Sequence, residues 1–398
     1  MAVPGTDGSR PSIAKIGDLA AAAGLRRIHM LSWRDLADVE AGGSEVHAAT
    51  VAKLWAEAGI DITLRTSYAQ GQAPVVTRDG YRVIRRAGRY LVFPRAAGSE
   101  MLHRHGPRDA LVEIWNGMPF FSPVWNRGPG IILLHHVHAE MWKMVLGDEA
   151  PWAATLGDTI ERRVAPLVYR RTKIVTLSNS SKDDIIEMLH LPASNIDVVA
   201  PGIDPRFSPG GERCPTPMVM ALGRLVPVKR YHLLIRAVAE ARRRHPNLTL
   251  TIVGVGYERE HLDQVVRDVD GGEWVTFAGH ISDAQLVDLY RRAWLVTSAS
   301  AREGWGMSIT EAAACGTPAV VTRIPGHIDA VVDGETGTLV DREDEIALGR
   351  GISDLIADDE RRARYGAAAL TRAASYSWEA TAAGIMRVLA AEAERHRR

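Results

Sequence analysis

The stretch 300–318, SAREGWGMSITEAAACGTP, concentrates residue types that chemistry needs. Glu303 and Glu311 have seven residues between them. Gly304 and Gly306 let backbone amides come close to a ligand, because glycine has no Cβ. Met307 and Ser308 follow at a predicted helix start, where unpaired N–H groups and the helix dipole favour negative charge. Two such carboxylates raise the question of a glycoside-cleaving pair. Helical spacing of eight positions gives a rise of roughly 12 Å, whereas hydrolytic pairs stand about 5–9.5 Å apart. The spacing suits one carboxylate at a sugar ring and another at a ribose, with a diphosphate between. The plain structural alternative is a helix-start loop with a charged cap.

Gly223-Arg224-Leu225-Val226-Pro227-Val228-Lys229 directly follows a predicted strand at 218–222. Gly223 permits a tight turn. Arg224 and Lys229 then stand at the carboxyl end of the strand, where two cations are placed to hold a diphosphate. A solvated basic loop is the alternative. Glu40-Ala-Gly-Gly-Ser-Glu-Val-His47 joins the first predicted strand to the first helix. Gly42 and Gly43 at that helix start can admit a phosphate or a polar group, although a Gly-Gly pair is more often turn chemistry.

His135, His136 and His138 end the predicted strand 131–136, and His136 and His138 share a face if that strand continues. No cysteine or carboxylate stands at ligand spacing from them, so no metal site is expected there. Asp268-Val-Asp270 precedes Gly271 and Gly272, which is a surface-turn setting rather than a metal motif. Gly254-Val-Gly256 opens a dinucleotide fingerprint, but Arg259 occupies the third glycine position and the match is incomplete.

Short apolar runs alternating with amphipathic segments must position these groups. Strands are expected at 27–31, 60–65, 81–84, 110–115, 131–136 and 173–177, with helices at 44–58, 152–170 and 181–189. The segment 200–217 carries five prolines and three glycines and reads as a linker. Beyond it the alternation restarts. Strands are expected at 218–222, 248–253, 274–277, 295–297 and 319–322, and helices at 231–243, 258–269, 307–314 and 378–397. Ser282 and Gln285 form a capping box that opens a helix running to Arg292. This alternation implies an α/β chain with two facing Rossmann-like domains and a cleft between them.

The chain has 398 residues, 46% of them hydrophobic and 24% charged, which suits two soluble domains each with its own core. Lys plus Arg is 48 and Asp plus Glu is 48, so the balance argues against a nucleic-acid partner. Cys214 and Cys315 are far apart and form no disulfide framework. A reducing cytoplasm fits them. The first 25 residues show no secretory signal, and no run approaches the ~18 apolar residues that cross a bilayer. Peripheral contact at the inner face of a membrane stays open.

The 300–318 stretch and the 223–229 cluster, with the Gly42–Gly43 loop and Thr336-Gly-Thr-Leu-Val340, resemble glycosyltransferase family 4, over about residues 28–378. The resemblance implies a GT-B fold and a retaining, metal-independent hexosyl transfer, without cofactor, from a UDP- or GDP-sugar to an acceptor hydroxyl. It implies that Arg224 and Lys229 grip the donor diphosphate and that Glu303 meets donor-sugar hydroxyls. Glu311 would bind the ribose, and Gly223, Gly306, Met307 and Ser308 would shape the phosphate cradle. Gly279, His280 and Ile281 would flank the nucleobase, and Gly43 would lie against donor and acceptor. A histidine near the reacting sugar is implied, with His138 the first choice and His136 the second. Arg230 departs from the family, where glycine is common.

The resemblance also implies domain limits. Residues 27–200, completed by the helix 378–398, would form the acceptor half and residues 201–377 the donor half. Residues 1–26 would be an extension outside both. A non-catalytic sugar-nucleotide-binding protein and an NAD-dependent oxidoreductase or epimerase are the rival readings. The acceptor, whether sugar, sugar phosphate, lipid-linked sugar or natural product, is left open.

Overall fold

The computed structural model describes residues 12–147 and 150–398. Its first sheet contains β1 (Arg27–Leu31), β2 (Asp61–Thr66), β3 (Val75–Arg78), β4 (Tyr81–Arg85), β5 (Ala110–Trp115), β6 (Gly130–Leu134), β7 (Lys173–Thr176) and β8 (Ile196–Val198). They lie in the order β3-β4-β2-β1-β5-β6-β7-β8, parallel except for the β3–β4 pair. The second sheet contains β9 (Met218–Leu222), β10 (Thr249–Val253), β11 (Val275–Gly279), β12 (Leu295–Ser298), β13 (Ala319–Thr322) and β14 (Gly337–Val340). Its order is β11-β10-β9-β12-β13-β14, parallel throughout.

Both orders reverse direction beside their first strand. In the first sheet β1 lies between β2 and β5, and in the second β9 lies between β10 and β12. Crossover helices leave on opposite faces at such a point, which opens a crevice outside the carboxyl ends of the strands. The loops after β1, β5 and β6 line one crevice, and those after β9 and β12 line the other.

The inner strands are apolar because both faces of their sheets are covered, whereas the edge strand β3 is partly exposed. The helices Gly43–Glu57 and Trp378–Arg397 pack on one face of the first sheet, burying Trp55, Met386 and Leu389 completely. Side chains of this size are each worth about 1.5–3 kcal/mol when buried. Ser377 caps the final helix by accepting the Ala380 amide at 3.2 Å. That helix follows the return of the chain from the second sheet. The outgoing and returning segments cross at Gly202, where a Cβ would stand 2.2 Å from the Trp378 nitrogen.

Three expectations are corrected. The first 26 residues are not wholly an appendage. The helix Ile13–Ala22 packs against the final helix with Ile16 and Ala20 in the first core; residues 1–11 lie outside the described residues. The strand expected at 131–136 stops at Leu134, so His135, His136 and His138 belong to a loop. The helix expected at 152–170 is interrupted by a π-helical turn, Ile160–Val164. Val92–Met101, Glu345–Ala357 and Asp359–Ala373 are further helices that the periodicity did not disclose.

Candidate active site

The turn after β9 carries Arg224 and Lys229. Gly223 has φ +155°, and its Cβ would stand 3.0 Å from Lys229 Cε. Beneath it, a Cβ at Gly254 would fall 2.0 Å from the Gly223 carbonyl oxygen, and one at Gly256 would fall 2.2 Å from that of Leu225. The pair Gly254 and Gly256 is therefore required by backbone packing under this turn, and no dinucleotide fingerprint is needed to explain it. The Gly254 amide donates to the Gly279 carbonyl at 2.9 Å and the Gly223 amide to the Val253 carbonyl at 3.0 Å, which ties the ends of β9, β10 and β11 together although the β10–β11 register shifts between Ile252 and Val253. Gly279 has φ +65°, and His280 beyond it is exposed.

Lys229 Nζ stands 2.5 Å from Glu303 Oε1, and Ser300 Oγ donates to the same oxygen at 2.8 Å. Burial opposes the charge on Glu303. The Lys229 ammonium outweighs burial with help from His327 and Ser300, and the pKa falls to about 2. His327 is itself buried, donating from Nδ1 to the Thr322 carbonyl at 2.8 Å. Burial lowers its pKa to about 4.

Gly306 has φ +100° and starts the helix Met307–Ala314, whose first amides have no partner within the helix. Glu311 lies further along that helix, with Oε2 accepting the Tyr290 hydroxyl at 2.9 Å. Burial raises its pKa to about 7, against the lowering effect of that hydrogen bond.

The first half meets these groups across the cleft. A Cβ at Gly42 would lie 3.6 Å from Arg224 Nε, and one at Gly43 would lie 3.2 Å from Met307 Sδ. Arg34, buried beneath this loop, pairs with Glu40 at 3.1 Å and Glu45 at 3.5 Å. The loop carrying Glu303 is fastened as well. Ser178 Oγ and Ser181 Oγ donate to the Gly304 carbonyl at 3.0 and 3.2 Å, and the Gly326 amide donates to Ser180 Oγ at 2.8 Å. Arg302 pairs with Asp184.

His136 and His138 stack with ring centroids 4.7 Å apart. Burial lowers the pKa of both, to about 4 for His136, which lies within electrostatic reach of Glu303, Lys229 and Arg224. His138 is within reach of Arg34, Arg302 and Arg224. His135 is turned inward and bonds His47 at 3.2 Å. The structure thus gathers Arg224, Lys229, Glu303, Gly306, Met307, Gly43 and the two stacked histidines around one cleft.

Among the described residues, no group of three or more His, Cys, Asp or Glu side chains could hold a metal ion, and no helix is long and apolar enough to cross a membrane. Asp268 and Asp270 lie apart from the cleft, Asp268 accepting from Gln264 on its own helix and Asp270 in a turn with φ +52°. Thr336 and Gly337 serve packing: Thr336 Oγ1 accepts the Val332 amide at 2.8 Å, and a Cβ at Gly337 would lie 2.4 Å from the Ala319 carbonyl oxygen. The sequence reading missed Ser300, His327, Arg34, Tyr290 and the Ser178–Ser181 clasp. Only Ser300, three residues before Glu303, left a local signal.

Residues 41–207 match the family described as Glycosyltransferase Family 4, and residues 207–372 match that described as Glycosyl transferases group 1. The D-inositol 3-phosphate glycosyltransferase of Corynebacterium diphtheriae is 28% identical, over 89% of this chain and 91% of that one. The GDP-mannose-dependent alpha-(1-6)-phosphatidylinositol monomannoside mannosyltransferase of Mycolicibacterium smegmatis is 32% identical, over 73% and 79%. Among solved structures, sucrose-phosphate synthase from Thermosynechococcus elongatus superposes with a TM-score of 0.77 at 20% identity, covering 90% of this chain and 96% of that one.

Proposed function

The chain belongs to glycosyltransferase family 4 and is a glycosyltransferase of GT-B fold, and on that premise we propose that it moves a hexosyl group from GDP-mannose or a UDP-sugar to an acceptor hydroxyl, with retention and without a metal ion. The observation that carries this reading is the Lys229–Glu303–Ser300 cluster at the switch point of the second sheet, facing the Gly42–Gly43 helix start of the first.

Lys229, Arg224 and the amides of Met307 and Ser308 would meet the charge that builds on the departing diphosphate. Glu303, kept ionised by Lys229, accepts from sugar hydroxyls. Glu311 accepts from the ribose. Gly279, His280 and Ile281 flank the base. The acceptor enters from the first half past His138 and His136. Its oxygen bonds the anomeric carbon on the face the diphosphate leaves, and its proton passes to the departing phosphate oxygen. Closure of the two halves keeps water out.

A GDP-mannose donor and an inositol-phosphate or phosphatidylinositol-type acceptor are supported by the names of the two relatives. Thermal shifts with GDP, UDP, ADP, their sugar conjugates and NAD test the donor, since a ligand of the folded state raises the melting temperature. The expected result is a shift with one nucleoside diphosphate. Assays with inositol phosphate and phosphatidylinositol mannoside then follow, with the product anomer read by NMR. A shift with NAD alone, or with none of the panel, sinks the donor reading, and an inverted anomer sinks retention.

A further inference from the structure

Glu161 lies in the π-helical turn Ile160–Val164, between the helices Pro151–Thr159 and Ala165–Tyr169. Its side chain is fully buried. Oε1 accepts the His138 amide at 2.9 Å, and Oε2 accepts the Ala139 amide at 3.0 Å and the Trp142 indole N–H at 3.1 Å. Oε1 also stands 3.8 Å from His138 Nδ1, which has no hydrogen-bond partner. One carboxylate thus bonds two amides of the loop and the indole of the helix Met141–Leu146 that follows it.

The surroundings are shaped to fit. Gly157, four residues earlier, leaves a slot for the Trp142 ring, and a Cβ there would fall 2.6 Å from Trp142 Cε3. Gly117, with φ +81°, closes the far side, its Cβ position 3.5 Å from both His138 Nε2 and Trp142 Cη2. The His138 ring lies between Trp142, at 5.3 Å between centroids, and His136, at 4.7 Å. Ala139 has φ +46°, a left-handed turn that needs an anchor. A π turn inserts an extra residue into the helical register and is common at functional sites. Burying a carboxylate is costly unless donors surround it, and Glu161 is met by two amides of the loop that presents His138 and by the indole of the helix Met141–Leu146 that follows it.

We propose that Glu161 is a positioning residue for sugar transfer, holding the 138–142 loop so that the His138 imidazole is fixed at the cleft beside Arg34 and Arg224. The inference rests on the role given above to His138. Glu161 touches no substrate; it acts through the two amides, the indole and the imidazole.

The test is Glu161→Gln in the full chain, which keeps the shape but sets an NH2 group against an N–H donor. Histidine labelled with 13C reports the loop without need of turnover. The imidazole signals of His138 and His136 should move while GDP or UDP affinity stays near wild type; the melting temperature should fall by a few degrees, since two buried donors then face each other. Release of nucleoside diphosphate from GDP-mannose or UDP-glucose should fall about tenfold to a hundredfold in kcat, the cost of a small misplacement near reacting atoms. In a His138→Ala background, Glu161→Gln should cost nothing further.

Unmoved histidine signals, or a full additional loss in the His138→Ala background, would overturn the proposal. Should His138→Ala alone leave turnover intact, the role of His138 fails instead, and the labelled spectrum still reports whether Glu161 orders the loop. If Glu161→Gln does not fold, Glu161→Asp takes its place. It keeps the charge, and it should retain more activity than Glu161→Ala while still moving the His138 signal.

Discussion

Lys229 Nζ stands 2.5 Å from Glu303 Oε1, joining the turn after β9 to the turn after β12. The two strands are neighbours in the sheet, so the pair straddles its switch point. The lysine keeps the carboxylate ionised and the carboxylate keeps the lysine at the strand ends. A donor entering here meets both charges already placed.

Replacing Lys229 by Ala removes the cation proposed for the departing diphosphate. Turnover should drop by about 10²–10³-fold, the usual effect of deleting one preorganised charge donor. Steady-state kinetics with the identified donor read this directly. Near-normal kcat would remove Lys229 from the mechanism.

Glu311 gives a pH signature. Burial raises its pKa to about 7 from the ordinary 4.5. Its contribution to stability is full below the unfolded value and is lost as pH rises through about 7. Glu311→Gln should therefore flatten the fall in melting temperature between pH 4.5 and 7. Ribose hydroxyls require the ionised form. Nucleoside diphosphate binding should then release a proton and weaken as pH drops below about 7. Calorimetry in two buffers of different ionisation enthalpy measures that proton; pH-independent affinity with no release denies Glu311 the ribose.

Gly304 is where the Glu303 loop touches the first half. A Cβ there would stand 2.5 Å from the His135 carbonyl oxygen. Gly304→Ala should wedge the cleft open, with a larger radius of gyration by small-angle scattering and a kcat reduced about a hundredfold. Nucleotide affinity should change little, since Arg224 and Glu311 are untouched. Unchanged scattering and rate would mean that the clasp at Ser178, Ser180 and Ser181 does not govern closure.

Transfer should persist in EDTA, since Lys229, Arg224 and the Met307 helix start supply the positive charge in the proposed mechanism. Loss of activity that magnesium restores would show instead that a divalent ion carries part of that role.

Sequence by itself determined the inner strands, because a parallel strand covered on both faces must be a short apolar run, as at Met218–Leu222 and Ala319–Thr322, but it disclosed no strand at Val75–Arg78, Ile196–Val198 or Gly337–Val340, which lie at the sheet edges. It also determined the helix start at Met307, since the glycines before it mark a turn, and it singled out Arg224, Lys229, Glu303 and Glu311 by type and spacing. It put His136 and His138 on one face, and the resemblance ranked His138 first, but neither could say what each of the three imidazoles meets, because that depends on what folds around them. Tertiary structure decided that His135 turns inward to His47 while His136 and His138 stack at the cleft. It decided too that Glu161 reaches back across the π turn to hold that loop, and that Gly254 and Gly256 serve packing. Local pattern is written along the chain by burial on each element's own faces. Contacts such as Gly304 against His135 join segments far apart in sequence, and their partners exist only once both sheets have formed.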